Sequence, residues 1–260
     1  MEHLFDIDLN LWQFLIFMVV GVLTGIINTI AGSGSLITLP IFIFMCGLSP
    51  SVANATNRIG VFLQSLVATT TYAKSKPEIF KDSLWLIIPS VLGAILGSKI
   101  AVDLDEKTMN YTIGGLMVFM LLILLFKPDK WLITDKDISK NQNKTIGSFI
   151  VFFLIGIYGG FLQAGVGFFL LAGLVLVSKY SLTQSNGLKL ALVLAFTAPA
   201  LALFIFYGKV HFGYGILMGV FQAIGAWIGV KYISKIPNAN LWIYRLLIVI
   251  VAASALKFFL

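Results

Sequence analysis

The chain has 260 residues, of which 59% are hydrophobic and only 11% charged, with a mean hydropathy of +0.98; soluble globular proteins carry about 25% charged residues, so this composition belongs in a bilayer. The net charge of +7 does not indicate a nucleic-acid partner. Its lysines are scattered between apolar runs instead of forming one basic face, and a positive-inside topology signal accounts for them. A single Cys46 excludes an internal disulfide, and His3 and His211 have no metal-ligand spacing, so neither a metal nor a cofactor is expected.

Spanning segments must satisfy their backbone polar groups internally, and runs such as Tyr111 to Phe126 are continuously apolar, not alternating; this predicts helices over a barrel. Residues 1–11 carry no Lys or Arg ahead of the first run. That run is too long for a signal-peptide core, so these residues are expected to form an uncleaved extracytoplasmic segment. Runs then follow at about 12–32, 35–47, 53–73, 82–101 and 108–126, giving a first membrane repeat over 12–127. A polar linker, 128–144, leads to a second repeat over 145–260, with runs at about 146–165, 168–178, 184–207, 213–231 and 241–259. The expected fold class is an all-α polytopic membrane protein whose two homologous halves are inverted repeats of about ten helical segments.

The halves share more than hydropathy. Gly93-Ala94-x-x-Gly97-x-Lys99 returns as Gly225-Ala226-x-x-Gly229-x-Lys231, and Asn54-x-x-Asn57 returns at the same offset as Asn186-x-x-Lys189. Gly21-x-x-x-Gly25-x-x-Asn28 recurs as Gly156-x-x-x-Gly160-x-x-Gln163. Each is followed by a glycine-rich break, Ala31-Gly32-Ser33-Gly34 in one half and Ala164-Gly165-Val166-Gly167 in the other. Paired interruptions in corresponding apolar segments point to a transporter's binding site.

The second run of each half, Leu36 to Cys46 and Phe168 to Ser178, is about 11 residues or about 17 Å of helix, too short for a hydrocarbon core of about 30 Å. Each is a half-helix opening at the break or part of a discontinuous helix with its predecessor. With the lysine-free amino terminus outside, Lys74, Lys76, Lys81, the linker, Lys179, Lys231 and Lys235 face the cytoplasm. Asp103, Asp105 and Glu106 lie outside, while Lys209 and Lys257 run against the rule. Merging each short run with its neighbour gives eight spans and parallel repeats as the alternative.

All 11 acidic residues fall in the amino terminus or in connections, and none follows Asp137. Cation-coupled carriers commonly hold their cation with a membrane carboxylate, so cation transport is not expected. Arg58 and Lys189, by contrast, begin apolar segments. A charge inside a bilayer marks a pathway or a partner, and with no acid nearby in sequence a substrate anion fills that role. A snorkelling side chain near a helix end is the alternative. The breaks add helix amino termini, which attract anions, so the candidate substrate-binding set is Asn28, Gly32, Ser33, Gly34, Ser35, Asn54, Thr56, Asn57, Arg58, Gln163, Gly165, Gly167, Asn186 and Lys189. Close helix packing is the competing role for the glycines.

Gly25-Ile26-Ile27-Asn28-Thr29-Ile30-Ala31-Gly32-Ser33-Gly34-Ser35-Leu36 with Leu39-Pro40, then Ala53-Asn54-Ala55-Thr56-Asn57, then Gly159-Gly160-Phe161 with Ala164-Gly165-Val166-Gly167-Phe168, resembles the sulfite exporter TauE/SafE family. The resemblance covers nearly the whole chain. It implies a multi-pass carrier of the cell's inner membrane, not an enzyme, that moves small sulfur-containing anions such as sulfite, sulfoacetate and other organosulfonates. Its partners would be that anion and the lipid bilayer, with the protein a monomer or homodimer. Members often carry a glycine triplet in the second copy, where this chain has Gly165-Val166-Gly167-Phe168-Phe169, so equal roles for the two copies are not expected. The competing functions are an anion channel for another small oxyanion or carboxylate, and an intramembrane enzyme using Ser33 or Ser35 with His211 as base.

Overall fold

The computed structural model describes residues 4–80, 84–125, 145–236 and 239–259. Within them lie ten α-helices: α1 (Leu11–Ala31), α2 (Ser35–Pro40), α3 (Pro50–Ser75), α4 (Leu84–Asp103), α5 (Glu106–Leu125), α6 (Ile146–Phe161), α7 (Val166–Ala172), α8 (Leu182–Phe206), α9 (Phe212–Lys231) and α10 (Ala239–Phe259). Five of these, α1, α4, α5, α8 and α9, are both long and apolar enough to cross a bilayer. The linker expected at 128–144, together with Lys81, lies outside the described residues, as does the side chain of Lys235.

Local sequence sets the helix ends. Asn10 and Gln13 form a reciprocal capping box at the start of α1, Pro50 occupies the first turn of α3 where its missing N–H costs nothing, and Ser181 with Gln184 repeats the capping box on α8. The two breaks stop α1 and α6. Gly32 turns left-handed at φ 72° and donates its N–H back to Asn28 O and Ile27 O; in the second half Gln163 and Gly165 both have positive φ. The short helices then run on as single π-helical stretches, Ile41–Met45 after α2 and Gly173–Val177 after α7. A left-handed residue lies two positions beyond each stretch, Gly47 in one half and Lys179 in the other.

Each short helix folds back along the helix before it. Phe42 packs its ring 6.0 Å from that of Phe17, near the start of α1, so the α1–α2 pair is a hairpin that returns toward its own side. Gly173 faces Val151, Phe152 and Ile155 of α6, so the α6–α7 pair does the same. Each hairpin returns the chain to the side from which it entered, as two full crossings would, so the ten-segment count and the inverted repeats stand.

The halves are interwoven. On α1, Gly21 meets Phe221 and Gly25 meets Gln222 and Ala226, so α1 runs parallel to α9 with the backbones in contact. On α4, Gly93 meets Phe153 and Gly97 meets Ile157 and Phe161, so α4 pairs with α6 in the same way. Each half thus lays the first helix of its hairpin against the fourth helix of the other, with small residues permitting the approach. α3 and α8 run antiparallel through the centre: Arg58 lies under Phe204, and Tyr72 lies against Gly187. Glu106 accepts hydrogen bonds from Ser49 Oγ and Ser51 N, which puts the acidic loop on the face where α3 begins. Lys74 and Lys76 lie at the opposite end of α3.

Candidate functional site

The two breaks touch. Gly167 N donates to Gly32 O at 3.0 Å, and a Cβ on either glycine would collide with the backbone of the other. This contact joins the tips of the two hairpins and brings the repeated motifs of both halves to one place in space.

On either side of it sits one buried cation, and each cation holds the carbonyl end of the other half's hairpin. Arg58, 0% exposed, donates from Nη1 to Gly159 O (3.0 Å) and Gln163 Oε1 (3.4 Å), and from Nη2 to Gly160 O (2.6 Å) and Phe161 O (3.1 Å). Asn54 Nδ2 adds a bond to Phe161 O at 2.8 Å. Lys189, 1% exposed, donates to Thr29 O (2.9 Å), Ile30 O (3.2 Å) and Asn186 Oδ1 (3.3 Å). The last carbonyls of a helix have no partner inside it and carry the negative end of its dipole, so a cation there is electrostatically matched. In a membrane interior without carboxylates, these carbonyl ends are the internal counter-groups for both charges.

The surroundings of the two cations differ. The Arg58 guanidinium lies 4.6 Å from the centroid of the Phe204 ring, Gln163 Nε2 is held by Thr197 Oγ1, and Phe196 packs onto Gly159. Lys189 instead borders a small cavity of about 10 Å³ lined by Asn28, Gly32, Gln64, Ser65 and Val193 among others, the size that takes a single water. Gln64 is 4% exposed and its Oε1 has no hydrogen-bond partner. Neither Gln64 nor Ser65 is among the residues nominated from the sequence; an isolated amide within an apolar run is the signal that marks Gln64.

The remaining nominated residues divide between packing and the hairpin tip. Asn57 is occupied by α2, donating to Ser35 Oγ at 3.0 Å and accepting from Thr38 Oγ1 at 2.6 Å. Gly34 N donates to Asn28 Oδ1 at 3.2 Å, which ties the break to α1. Gly165 faces Met120 of α5. Thr56 stands apart from the others, accepting from His211 N at 2.9 Å where α9 begins. Ser33 Oγ is buried with no partner. No hydrogen bond joins either break serine to His211, whose Nδ1 accepts from Tyr214 N at the start of α9.

Chemically, the Lys189 side of the junction offers an ammonium, two amides and two hydroxyls around a small space with no carboxylate on its lining. Such a set suits an anion.

Comparison with known proteins agrees with this architecture. A "Probable membrane transporter protein ORF9" from Sinorhizobium sp. is 27% identical over 252 residues, covering 97% of this chain and 94% of that protein. A "Probable membrane transporter protein" from Haemophilus influenzae is 25% identical over 228 residues, 87% of each chain. "Probable membrane transporter protein YfcA" from Escherichia coli K12 is 26% identical over 234 residues, covering 90% of this chain and 84% of that one. No solved structure matches. The family described as "Sulfite exporter TauE/SafE" matches residues 17–258, which take in both hairpins and both cations, and the chain therefore belongs to that family of multi-pass membrane transporters.

Proposed function

We propose that the protein exports small sulfur-containing anions of the sulfite and organosulfonate class, sulfoacetate among them, by alternating access. The observation that carries this reading is the acid-free cavity at the hairpin junction, where the Lys189 ammonium meets Asn28, Gly32, Gln64 and Ser65. A space for one water is too small for a sulfur oxyanion. Entry therefore requires the hairpin tips to part, and parting them from one side or the other is the alternating step. Lys189, Asn186, Asn28 and Gly32 form the binding core, with Ser33, Gly34, Ser35 and Asn57 flanking it on the first hairpin. Asn54, Arg58, Gln163, Gly165 and Gly167 hold the opposing hairpin, and Thr56 sets the start of α9 beside them. All these groups belong to one chain, so the proposed site is built within a single protomer.

Proteoliposomes loaded with labelled sulfite test the reading. Saturable efflux is expected. Losing a charged hydrogen-bond donor costs about 1.5–3 kcal/mol, so Lys189→Ala should weaken apparent affinity about 10- to 100-fold. Flux unchanged in both Lys189→Ala and Arg58→Ala would sink the site assignment, and an unsaturable conductance would indicate a channel.

A further inference from the structure

We propose that Gln222 is a second recognition point on the anion's path, a buried acceptor for a neutral hydrogen-bond donor at the far end of a substrate whose sulfonate sits at Lys189; this rests on the anion-transport reading above. The class it favours is a short sulfonate that carries a hydroxyl, such as 2-hydroxyethanesulfonate. Gln222 lies in the middle of α9, 1% exposed, and its Oε1 has no hydrogen-bond partner. A buried acceptor without a donor costs free energy, and packing alone gives no reason to keep one there.

The orientation of the amide follows from its neighbour on α1. Thr24 Oγ1 donates to Gly21 O at 3.0 Å, so it accepts from Gln222 Nε2, at 3.3 Å. This leaves Oε1 on the other side, against Gly60 of α3, where a Cβ would collide with it. The same two neighbours fix where the amide stands. Thr24 precedes Asn28 by one turn of α1, Gly60 precedes Gln64 by one turn of α3, and Asn28 and Gln64 both line the Lys189 cavity. Gln222 is therefore one helical turn, about 5–6 Å, from the cavity, toward the starts of α1 and α3. A short carbon arm on a sulfur head covers that distance, and sulfite alone does not.

The other half carries nothing comparable. At the repeat offset Gln222 corresponds to Ser90, Gly60 to Leu192 and Gln64 to Phe196. Ser90 gives its hydroxyl to Leu86 O of its own helix at 2.8 Å, while Leu192 and Phe196 are buried and apolar. A line of amides thus runs only through the half that holds the cavity, and it ends on two unpartnered oxygens, Gln64 Oε1 and Gln222 Oε1. The donor that suits Gln222 is neutral, because α1, α3 and α9 contain no Asp or Glu to balance a cationic group beside it. An ionised carboxylate in the same place, as in sulfoacetate, only accepts and gains nothing from the contact.

Proteoliposomes loaded with labelled sulfite and an unlabelled competitor provide the test. In the wild type, 2-hydroxyethanesulfonate should inhibit sulfite efflux about 2- to 10-fold more strongly than ethanesulfonate, the gain from one neutral hydrogen bond, and sulfoacetate should do no better than ethanesulfonate. Gln222→Leu removes the acceptor at similar volume, so the inhibition constants of the hydroxyl and alkyl compounds should become equal. Should the leucine variant fail to fold, Gln222→Met makes the same comparison with a more adaptable side chain, and the wild-type ranking stands without either. A hydroxyl preference that survives in the Gln222 variant overturns the proposal. Saturable sulfite efflux inhibited equally by the two compounds in the wild type overturns the role of Gln222 alone. Absence of saturable sulfite efflux in the wild type overturns the functional reading beneath it.

Discussion

Arg58 and Lys189 perform the same task at the two ends of one junction, each closing the carbonyl end of the opposite hairpin, yet their surroundings have diverged. At the Arg58 end the space beside the cation is occupied: Phe204 lies over the guanidinium and Phe196 presses on Gly159. At the Lys189 end Gln64 and Ser65 line a cavity. These positions correspond, because the offset that relates Asn57 to Lys189 also relates Gln64 to Phe196 and Ser65 to Thr197. An amide in one half and a phenyl ring in the other separate a small cavity from a filled strut. A repeat can thus preserve a scaffold while its two copies pack differently.

The largest expected effect tests the sealed end. Arg58→Met leaves the carbonyls of Gly159, Gly160 and Phe161 without their donor in a dry environment. Breaking a buried charged cluster from one side costs about 3–5 kcal/mol, so the detergent-solubilised variant should melt well below the wild type or fail to fold. Lys189→Met should cost less, about 1–3 kcal/mol, because water from the neighbouring cavity can reach Thr29 O and Ile30 O. Equal losses in thermal melts of the two variants would remove the distinction between strut and site.

A second substitution strikes the contact that both ends share. Gly167→Ala drives a methyl group into the Gly32 backbone, which has no flexible side chain to give way. Overpacking of this kind costs about 1–3 kcal/mol. The tips should be pushed apart, so cysteine-accessibility labelling of a residue introduced at Ser65 should rise relative to the wild-type background. Unchanged melting and labelling would mean that the tips do not bear on each other.

The broad architecture could be read from the sequence because hydropathy, lysine placement and the double motif all act through local composition, and membrane segments obey local rules closely. The breaks, the shortness of the runs after them and the pairing of Arg58 with Lys189 were visible for the same reason. What the cations bind was not. Without acids nearby, the sequence suggested a substrate anion; the structure adds backbone carbonyls of α6 and α1 as partners, groups every residue carries and no pattern distinguishes. Thr56 neighbours Asn57 in the sequence, but successive helix residues point about 100° apart, and it accepts from His211 N at the start of α9. Gln64 needed the third dimension: only the fold places it across from Asn28 and Lys189.

Gln64→Leu separates fold from function at the open end. The amide oxygen is buried and unpartnered, so the wild type bears a desolvation cost that a leucine of similar volume removes. Thermal stability without ligand should stay level or rise by up to about 1 kcal/mol. Binding should move the other way, because an anion at Lys189 loses an amide donor, and the shift in melting temperature produced by sulfite should shrink. The corresponding change at the sealed end, Phe196→Leu, opens a gap in a packed core and should lower stability by about 1 kcal/mol or more while leaving the sulfite-induced shift unaltered. If both variants lose stability and both keep the full shift, Gln64 is a core residue and the cavity is not where the anion sits.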